Sequence, residues 1–330
     1  MNILETLNTL NACHGPSGDE KEISEALTRL AAPFVDDCRT DTMGNLIAHK
    51  KGVGPRLMIA AHMDSIGFII THIEKEGFLR FGKIGGLHAP SILHSPIRFK
   101  NGVKGLVSLD ESADEKKMAL DDLYLDIGAK DEAEAKKLAQ LGDTAVLDAP
   151  AFLTGGKIVS PYLDNRISCT VLLMAMEQLK ESPNDLYFVF TAQEELGLRG
   201  ARTAAYAIEP DFAVAVDVTP AGDALGTKHG GSSVCGGGAA VKVMDGSVLC
   251  HPQMVERLAF LAERDSIPMQ RDVIRSGGTD AGAIHLSRGG VITGGISIPC
   301  RYVHSPVEMA DIGDVEACAK LVAAIASERL

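Results

Sequence analysis

The apolar positions of the first segment recur at helical spacing, with Ile3, Leu4, Leu7 and Leu10 on one face. Gly15-Pro16-Ser17-Gly18 breaks the pattern. Ser17 and Glu20 then stand at the spacing of a capping box, ahead of a second helical stripe formed by Ile23, Leu27 and Leu30. Met43-Gly44-Asn45 reads as a turn into the apolar run Leu46-Ile47-Ala48. Residues 56–61 are largely apolar and end at His62, the pattern of a strand buried on both faces.

The texture changes between Ser65 and Ala149. Short candidate strands at 67–73, 78–84, 97–100 and 105–108 alternate with glycine-rich turns. A charged run at 110–117 reads as a solvated loop, and 131–141 as a charged helix. From Pro150 onward, candidate strands at 186–192, 212–218, 239–243 and 291–296 interleave with helical patterns at 166–179, 251–264, 281–286 and 311–328. Such alternation predicts an open α/β sheet with helices on both faces, a three-layer α/β/α domain whose sheet is mixed and mostly parallel. The strand ending at His62 belongs with these. Residues 1–64 and 150–330 are therefore expected to form one catalytic-type domain, with 65–149 a small β-rich insertion.

Composition narrows this picture. A chain of 330 residues exceeds the usual size of one hydrophobic core. With no Trp and 5% aromatic residues, the core must rest on Ala, Val, Ile, Leu and Met. A formal charge of −12 argues against a nucleic-acid binder or an anionic-membrane docker, both of which need clustered cations. Seven cysteines without a CxxC pair fit a reducing compartment. The first residues lack the basic and apolar regions of a signal peptide, and no run reaches membrane-spanning length. The expected location is the cytoplasm.

Candidate chemistry concentrates where apolar runs end. Ala61-His62-Met63-Asp64, Leu163-Asp164-Asn165-Arg166, Gln193-Glu194-Glu195 and Val216-Asp217-Val218 follow such runs or their turns, and Val303-His304-Ser305-Pro306 lies in a loop. In open α/β sheets, ligands bind beyond the carboxyl ends of the strands. Imidazole with carboxylate suits Zn²⁺, Co²⁺ or Mn²⁺. His62, Asp164, Glu195, Asp217 and His304 supply the donors that two divalent ions require. Glu194 is left over, next to a ligand candidate, where it could manage the proton of an activated water. Taken alone, each motif has a bland reading. His62 could be a core histidine, Asp164 a helix cap, and Gly277-Gly278-Thr279-Asp280 a turn. His14, His49, His72, His88, His94, His229, His251 and His285 lack acidic company at ligand spacing and read mostly as surface residues. Cys235 and Cys300 read as small buried residues.

The ordered set Ala61-His62-Met63-Asp64, 124–129, 163–166, Gln193-Glu194-Glu195-Leu196-Gly197-Leu198-Arg199-Gly200, Asp217-Val218, 277–281 and His304-Ser305 resembles the M42 family of metallo-aminopeptidases. The resemblance implies hydrolysis of N-terminal residues from short peptides at a dinuclear site with a bridging water. Asp164 would bridge two metals, His62 and Asp217 would complete one shell, and Glu195 and His304 the other. Glu194 would be the general base and acid, Asp64 would orient His62, and Gly278 and Thr279 would face substrate. It also implies that the insertion is a PDZ-like or barrel module for dimerisation, and that dimers build a homo-oligomer such as a tetrahedral dodecamer. Gly85-Gly86-Leu87-His88 lacks the aromatic residue that often follows the two glycines in the family. A two-metal carboxypeptidase or N-deacylase would use the same ligands. A two-carboxylate glycosidase would leave the histidines without a purpose. A non-catalytic scaffold would leave Glu194 idle.

Overall fold

The computed structural model describes residues 1–227 and 231–330, so the expectation for His229 falls outside the described residues. The amino-terminal segment forms α1 (Ile3–Ala12) and α2 (Lys21–Ala31), then strands β1 (Asp37–Thr40), β2 (Leu46–Lys50) and β3 (Arg56–His62). Asn2 caps α1 by accepting from the Glu5 amide. The expected capping box is not formed. The Ser17 hydroxyl donates to Asp64 Oδ2 at 2.5 Å, and Glu20 Oε1 accepts from the Gly18 and Gln193 amides. Both side chains are drawn into long-range contacts that tie the entrance of α2 to the ends of β3 and a later strand.

The chain then builds a closed barrel from β4 (Gly67–Ile73), β5 (Leu79–Ile84), β6 (Pro96–Phe99), β7 (Lys104–Leu109), β8 (Leu123–Asp126) and β9 (Thr144–Leu147). Two short helices, α3 (Ala89–Ile92) and α4 (Glu132–Leu138), accompany it. Its core is separate from the main one, with Phe68, Phe99, Val107 and Leu125 fully enclosed. Closure removes the exposed edges that six short antiparallel strands would otherwise present.

The remaining elements are β10 (Phe152–Thr154), β11 (Lys157–Ser160), α5 (Leu163–Gln178), β12 (Asp185–Thr191), α6 (Arg199–Ile208), β13 (Phe212–Pro220), β14 (Ala239–Met244), α7 (Pro252–Arg264), β15 (Met269–Val273), α8 (Ala281–Ile284), β16 (Ile292–Arg301), β17 (Glu308–Asp311) and α9 (Ile312–Ser327). Among the described residues, eleven strands make one mixed sheet ordered β1-β2-β12-β3-β13-β16-β17-β11-β10, with β14 branching from β16 and β15 pairing with β14. The centre, β12-β3-β13-β16, is parallel. Its neighbours β2, β14 and β17 join it antiparallel. Parallel pairing is thus confined to the long apolar strands and to β14-β15. The unforeseen strands β1, β10, β11, β15 and β17 are short flanking pieces without long apolar runs.

Alternation along β3 explains the two helical layers. Leu57, Ile59 and Ala61 face a core shared with α1, α2, α5, α7 and α9. Met58 and Ala60 face the smaller layer of α6 and α8, where Ala201, Ala204 and Ala205 let the helix sit close. Each fully buried Leu or Ile in these layers is worth about 1.5–3 kcal/mol relative to exposure. The sheet is held rigidly enough to present groups at one end.

Candidate metal centre

The carboxyl ends of β3, β12, β13 and β16 point the same way, and the candidate residues gather there. His62 ends β3, Asp217 lies near the end of β13, and the Glu194-Glu195 pair follows β12. Asp164 sits in the first turn of α5, whose dihedrals at Asp164 and Asn165 are not helical. His304 lies between β16 and β17.

Asp164 stands between the two imidazoles. Its Oδ1 is 3.0 Å from His62 Nε2, and its Oδ2 is 3.2 Å from His304 Nε2. On the His62 side, Asp217 Oδ1 approaches Nε2 to 3.7 Å and Glu194 Oε2 to 3.9 Å. On the His304 side, Glu195 Oε1 lies 3.2 Å from Nε2. Ligand atoms of His62, Asp164 and Asp217 lie within 4.8 Å of one another, as do those of Asp164, Glu195 and His304. The two groups share Asp164. Neighbouring glutamates serve different halves because β12 has already ended at Thr191 and Gln193 adopts a left-handed φ of 54°.

Surrounding groups hold these side chains in place. His62 Nδ1 is 3.2 Å from the Asp64 carbonyl, whereas the Asp64 carboxylate is 3.6 Å away. The backbone of Asp64, and not its side chain, is therefore at hydrogen-bonding distance. The Asp64 carboxylate instead accepts from the Glu194 amide at 3.0 Å and the Glu195 amide at 3.3 Å. His304 Nδ1 is 2.9 Å from the carbonyl of Gly86, which belongs to the barrel. An acidic residue that the sequence reading missed, Glu308, accepts from the amides of both Asp164 and His304. Its only signal is a polar residue four positions after His304 in a short alternating strand. Asp280, read from sequence as part of a turn, is buried and accepts from the Thr191 hydroxyl.

Several non-glycine residues with left-handed backbone flank this centre: Tyr162, Gln193, Leu198, Tyr302 and His304. Each such residue costs on the order of 1–3 kcal/mol and persists only where its surroundings enforce it.

The electrostatics are those of a site short of positive charge. Burial first, then Asp217, Asp280 and Glu195, push the Glu194 carboxyl well above its usual range. Burial and the neighbouring Asp164 push Asp217 up to about 6. Burial, followed by the Asp217 and Asp64 charges, raises Asp280 to about 7. Burial also raises Glu308, with Asp164 adding to it, against the two amides it accepts. The imidazoles move the other way. Burial would lower His304, but the Asp164 and Glu195 carboxylates raise it to about 12. His62 is likewise raised against burial by Glu194, Asp164, Asp217 and Asp64. Glu195 Oε1 is buried and has no hydrogen-bond donor. Buried, mutually repelling carboxylates with an orphaned oxygen, interleaved with two imidazoles, are the donor chemistry of divalent cations. The residues present fit such ions.

The centre opens into a cleft of about 580 Å³, whose lining also includes Gly246, Ser247, Ile274, Gly278 and Thr279. Gly278 and Thr279 thus share one cavity with the ligand candidates. Thr279 donates its hydroxyl to Asp245, which also accepts from the Ser247 amide, so the wall is internally braced. A larger cleft of about 760 Å³, between the barrel and the segment around Ser17, lacks a histidine in its lining and holds no comparable convergence of donors among the described residues. Of the other histidines, His14 is fully buried, contrary to expectation, because it plugs the junction of the two domains. Cys300 is buried as expected, whereas Cys235 is only half-buried, and burial raises both thiols, as suits inert residues.

Residues 44–321 match the model of the M42 glutamyl aminopeptidase family. A lysyl aminopeptidase of Pyrococcus furiosus is 37% identical over 95% of this chain and 94% of its own. The aminopeptidase APDkam598 of the archaeon Desulfurococcus kamchatkensis superposes with a TM-score of 0.94 at 38% identity, covering 98% of this chain and 94% of that one. The TET1 peptidase of Pyrococcus horikoshii, described as assembling into a tetrahedron or a large octahedral shell, gives 0.89 at 31% identity, covering 99% of this chain and 100% of the other.

Proposed function

Since the chain belongs to the M42 glutamyl aminopeptidase family, we propose that it removes N-terminal residues from short peptides at a centre of two divalent metals. The observation carrying this reading is the position of Asp164, with one oxygen toward His62 at 3.0 Å and the other toward His304 at 3.2 Å. His62 and Asp217 would hold one ion and Glu195 and His304 the other, with Asp164 shared. Zn²⁺, Co²⁺ and Mn²⁺ all accept these donors. Ions held there would supply Lewis-acid polarisation of the scissile carbonyl and lower the pKa of the attacking water.

The protein's own part follows from the geometry. Glu194 Oε2 lies 3.9 Å from His62 Nε2, beside the donor set. Its raised affinity for a proton suits a group that takes one from water and returns it to the leaving amine. Asp64 positions the pair, because its carboxylate accepts from both the Glu194 and Glu195 amides. His62 is held by the Asp64 carbonyl and His304 by the Gly86 carbonyl, which leaves each Nε2 free to face the centre. Gly278 and Thr279, which line the same cleft, would contact the peptide.

The barrel of residues 67–147 is proposed as the dimerisation module of a homo-oligomer, with a dodecameric shell as the expected end state. Support comes from the TET1 peptidase of Pyrococcus horikoshii, which can assemble into a tetrahedron or a large octahedral shell, and from the similar PhTET1-12s structure, a dodecamer. No helix among the described residues is long and apolar enough to cross a membrane. The cysteines are unpaired, which supports a reducing compartment and so the cytoplasm.

The test uses matched short peptides with free and acetylated N-termini, offered to metal-stripped protein and to protein reloaded with Zn²⁺, Co²⁺ or Mn²⁺. Metal-dependent cleavage of the free-amine peptides alone is expected. Cleavage of the acetylated peptides, or release from the C-terminus, would move the reading to an N-deacylase or a carboxypeptidase.

A further inference from the structure

We infer that Glu308 is a positioning residue that sets the spacing between the two halves of the metal centre, by binding the backbone of both ligand-bearing loops with one carboxylate. This rests on the two-metal reading above. Glu308 Oε2 accepts from the Asp164 amide at 2.8 Å, and Oε1 accepts from the His304 amide at 2.7 Å. Asp164 is the residue shared by both donor groups, and His304 belongs to one of them, whereas Glu308 belongs to neither. The side chain is 1% exposed, so water does not compete for its oxygens.

Strand register explains how it reaches both loops. Glu308 is the first residue of β17 and pairs with Ser160, the last residue of β11. β11 leads into the turn that carries Asp164, and β17 follows the loop that carries His304. One side chain at this crossing therefore lies beneath both. The loops need restraint, since Tyr162 in one and Tyr302 and His304 in the other hold left-handed φ values of 60°, 60° and 63°.

The chemistry of the clamp is specific. A carboxylate offers two acceptor oxygens, one for each amide, whereas the carboxamide of Gln offers one acceptor and an NH₂ that would face the second N–H. Glu308→Gln should thus loosen one loop while changing little in volume. Glu308→Asp keeps the charge but is one methylene shorter, and should retain part of the effect. A comparison residue exists in Asp314, a buried carboxylate that also accepts two amides, those of Gly236 and Gly238, and holds no ligand loop.

Co²⁺ affinity of the full-length protein is measured by competition with a chelator, counting bound cobalt per chain and following its visible absorption. Thermal unfolding of the metal-free proteins is recorded beside it. Glu308→Gln is expected to weaken Co²⁺ binding by about 10- to 100-fold, the range seen when groups supporting metal ligands are removed. Asp314→Asn is expected to lower thermal stability without changing Co²⁺ affinity. Should Glu308→Gln not fold, Glu308→Asp is titrated in its place, with a smaller loss of affinity expected. Parent-like Co²⁺ affinity in the folded Glu308 variants, or the same loss in Asp314→Asn, would overturn the assignment. Failure of the parent protein to bind Co²⁺ would instead overturn the two-metal reading, and this assignment with it.

Discussion

Adjacent glutamates with identical side chains have different surroundings here. Glu195 Oε1 faces the His304 imidazole at 3.2 Å, whereas Glu194 meets His62 only at 3.9 Å and is raised by burial and three neighbouring carboxylates. The proposed ligand Glu195 and the proposed proton carrier Glu194 are neighbours in the chain, and they reach different surroundings where the backbone turns at Gln193. Glu194→Gln should keep both metals and lose at least about 10²-fold in kcat, the scale of general acid–base catalysis. Near-normal turnover would remove Glu194 from that role. Asp164→Ala should release both ions, whereas Asp217→Ala should loosen mainly one, as read by metal content after gel filtration. Equal, small losses would count against Asp164 as the shared ligand. Glu194, Glu195 and the other candidate ligands could be picked out in the sequence because each follows an apolar run or sits in a short motif. Glu308 could not, since its importance lies in two backbone amides 144 and 4 residues away.

At the scale of elements, the parallel centre of the sheet brings its strand ends to one side, and the barrel closes over part of that side. The contact is made by a turn with no side chain to spare. A Cβ on Gly86 would lie 2.5 Å from His304 Nδ1 and 2.7 Å from its Cε1, inside any tolerable contact. The Gly86 carbonyl meanwhile meets Nδ1 at 2.9 Å. Gly86→Ala is therefore expected to displace the imidazole by a fraction of an ångström and lower kcat/KM by roughly 10- to 100-fold, the cost of misplacing a reacting group. Initial rates and metal content check this, and unchanged values for both would show that the turn yields instead of the histidine. The long apolar strands and most of the helices were visible as periodicity, but α6 was not, since its buried face is made largely of alanine. The short strands β11 and β17 were not visible either, because each is made a strand by the other, about 150 residues away in the chain, and β10 is a three-residue edge strand hairpinned onto β11.

On the scale of the whole molecule, the barrel and the sheet meet around His14, whose Nε2 is 2.7 Å from the Thr144 hydroxyl on β9 and 3.6 Å from Asp19. Burial above all, with help from Lys100 and Arg98 and against Asp19 and Glu22, lowers its pKa from 6.5 to about 4. Between those values the unfolded chain binds a proton that the folded protein refuses. Stability should therefore be whole above about pH 6.5 and fall as pH drops toward 4. Urea unfolding of the parent and of His14→Gln should give a stability difference that shrinks or reverses across that window. A difference independent of pH would show that His14 does not titrate as a buried neutral group. The class of fold, the apolar faces of most strands and helices, and a set of imidazoles and carboxylates at the ends of apolar runs can all be read along the chain. Local periodicity and composition carry that information, because burial of one face is decided residue by residue. Folding in three dimensions was needed to set which oxygen of Asp164 faces which histidine, that Asp64 supports the glutamate pair while its carbonyl meets His62, that a barrel glycine holds His304, and that Glu308 accepts from the amides of two loops. These depend on strand register and on backbone groups, and every residue carries the same backbone, so no pattern of side chains along the chain announces them.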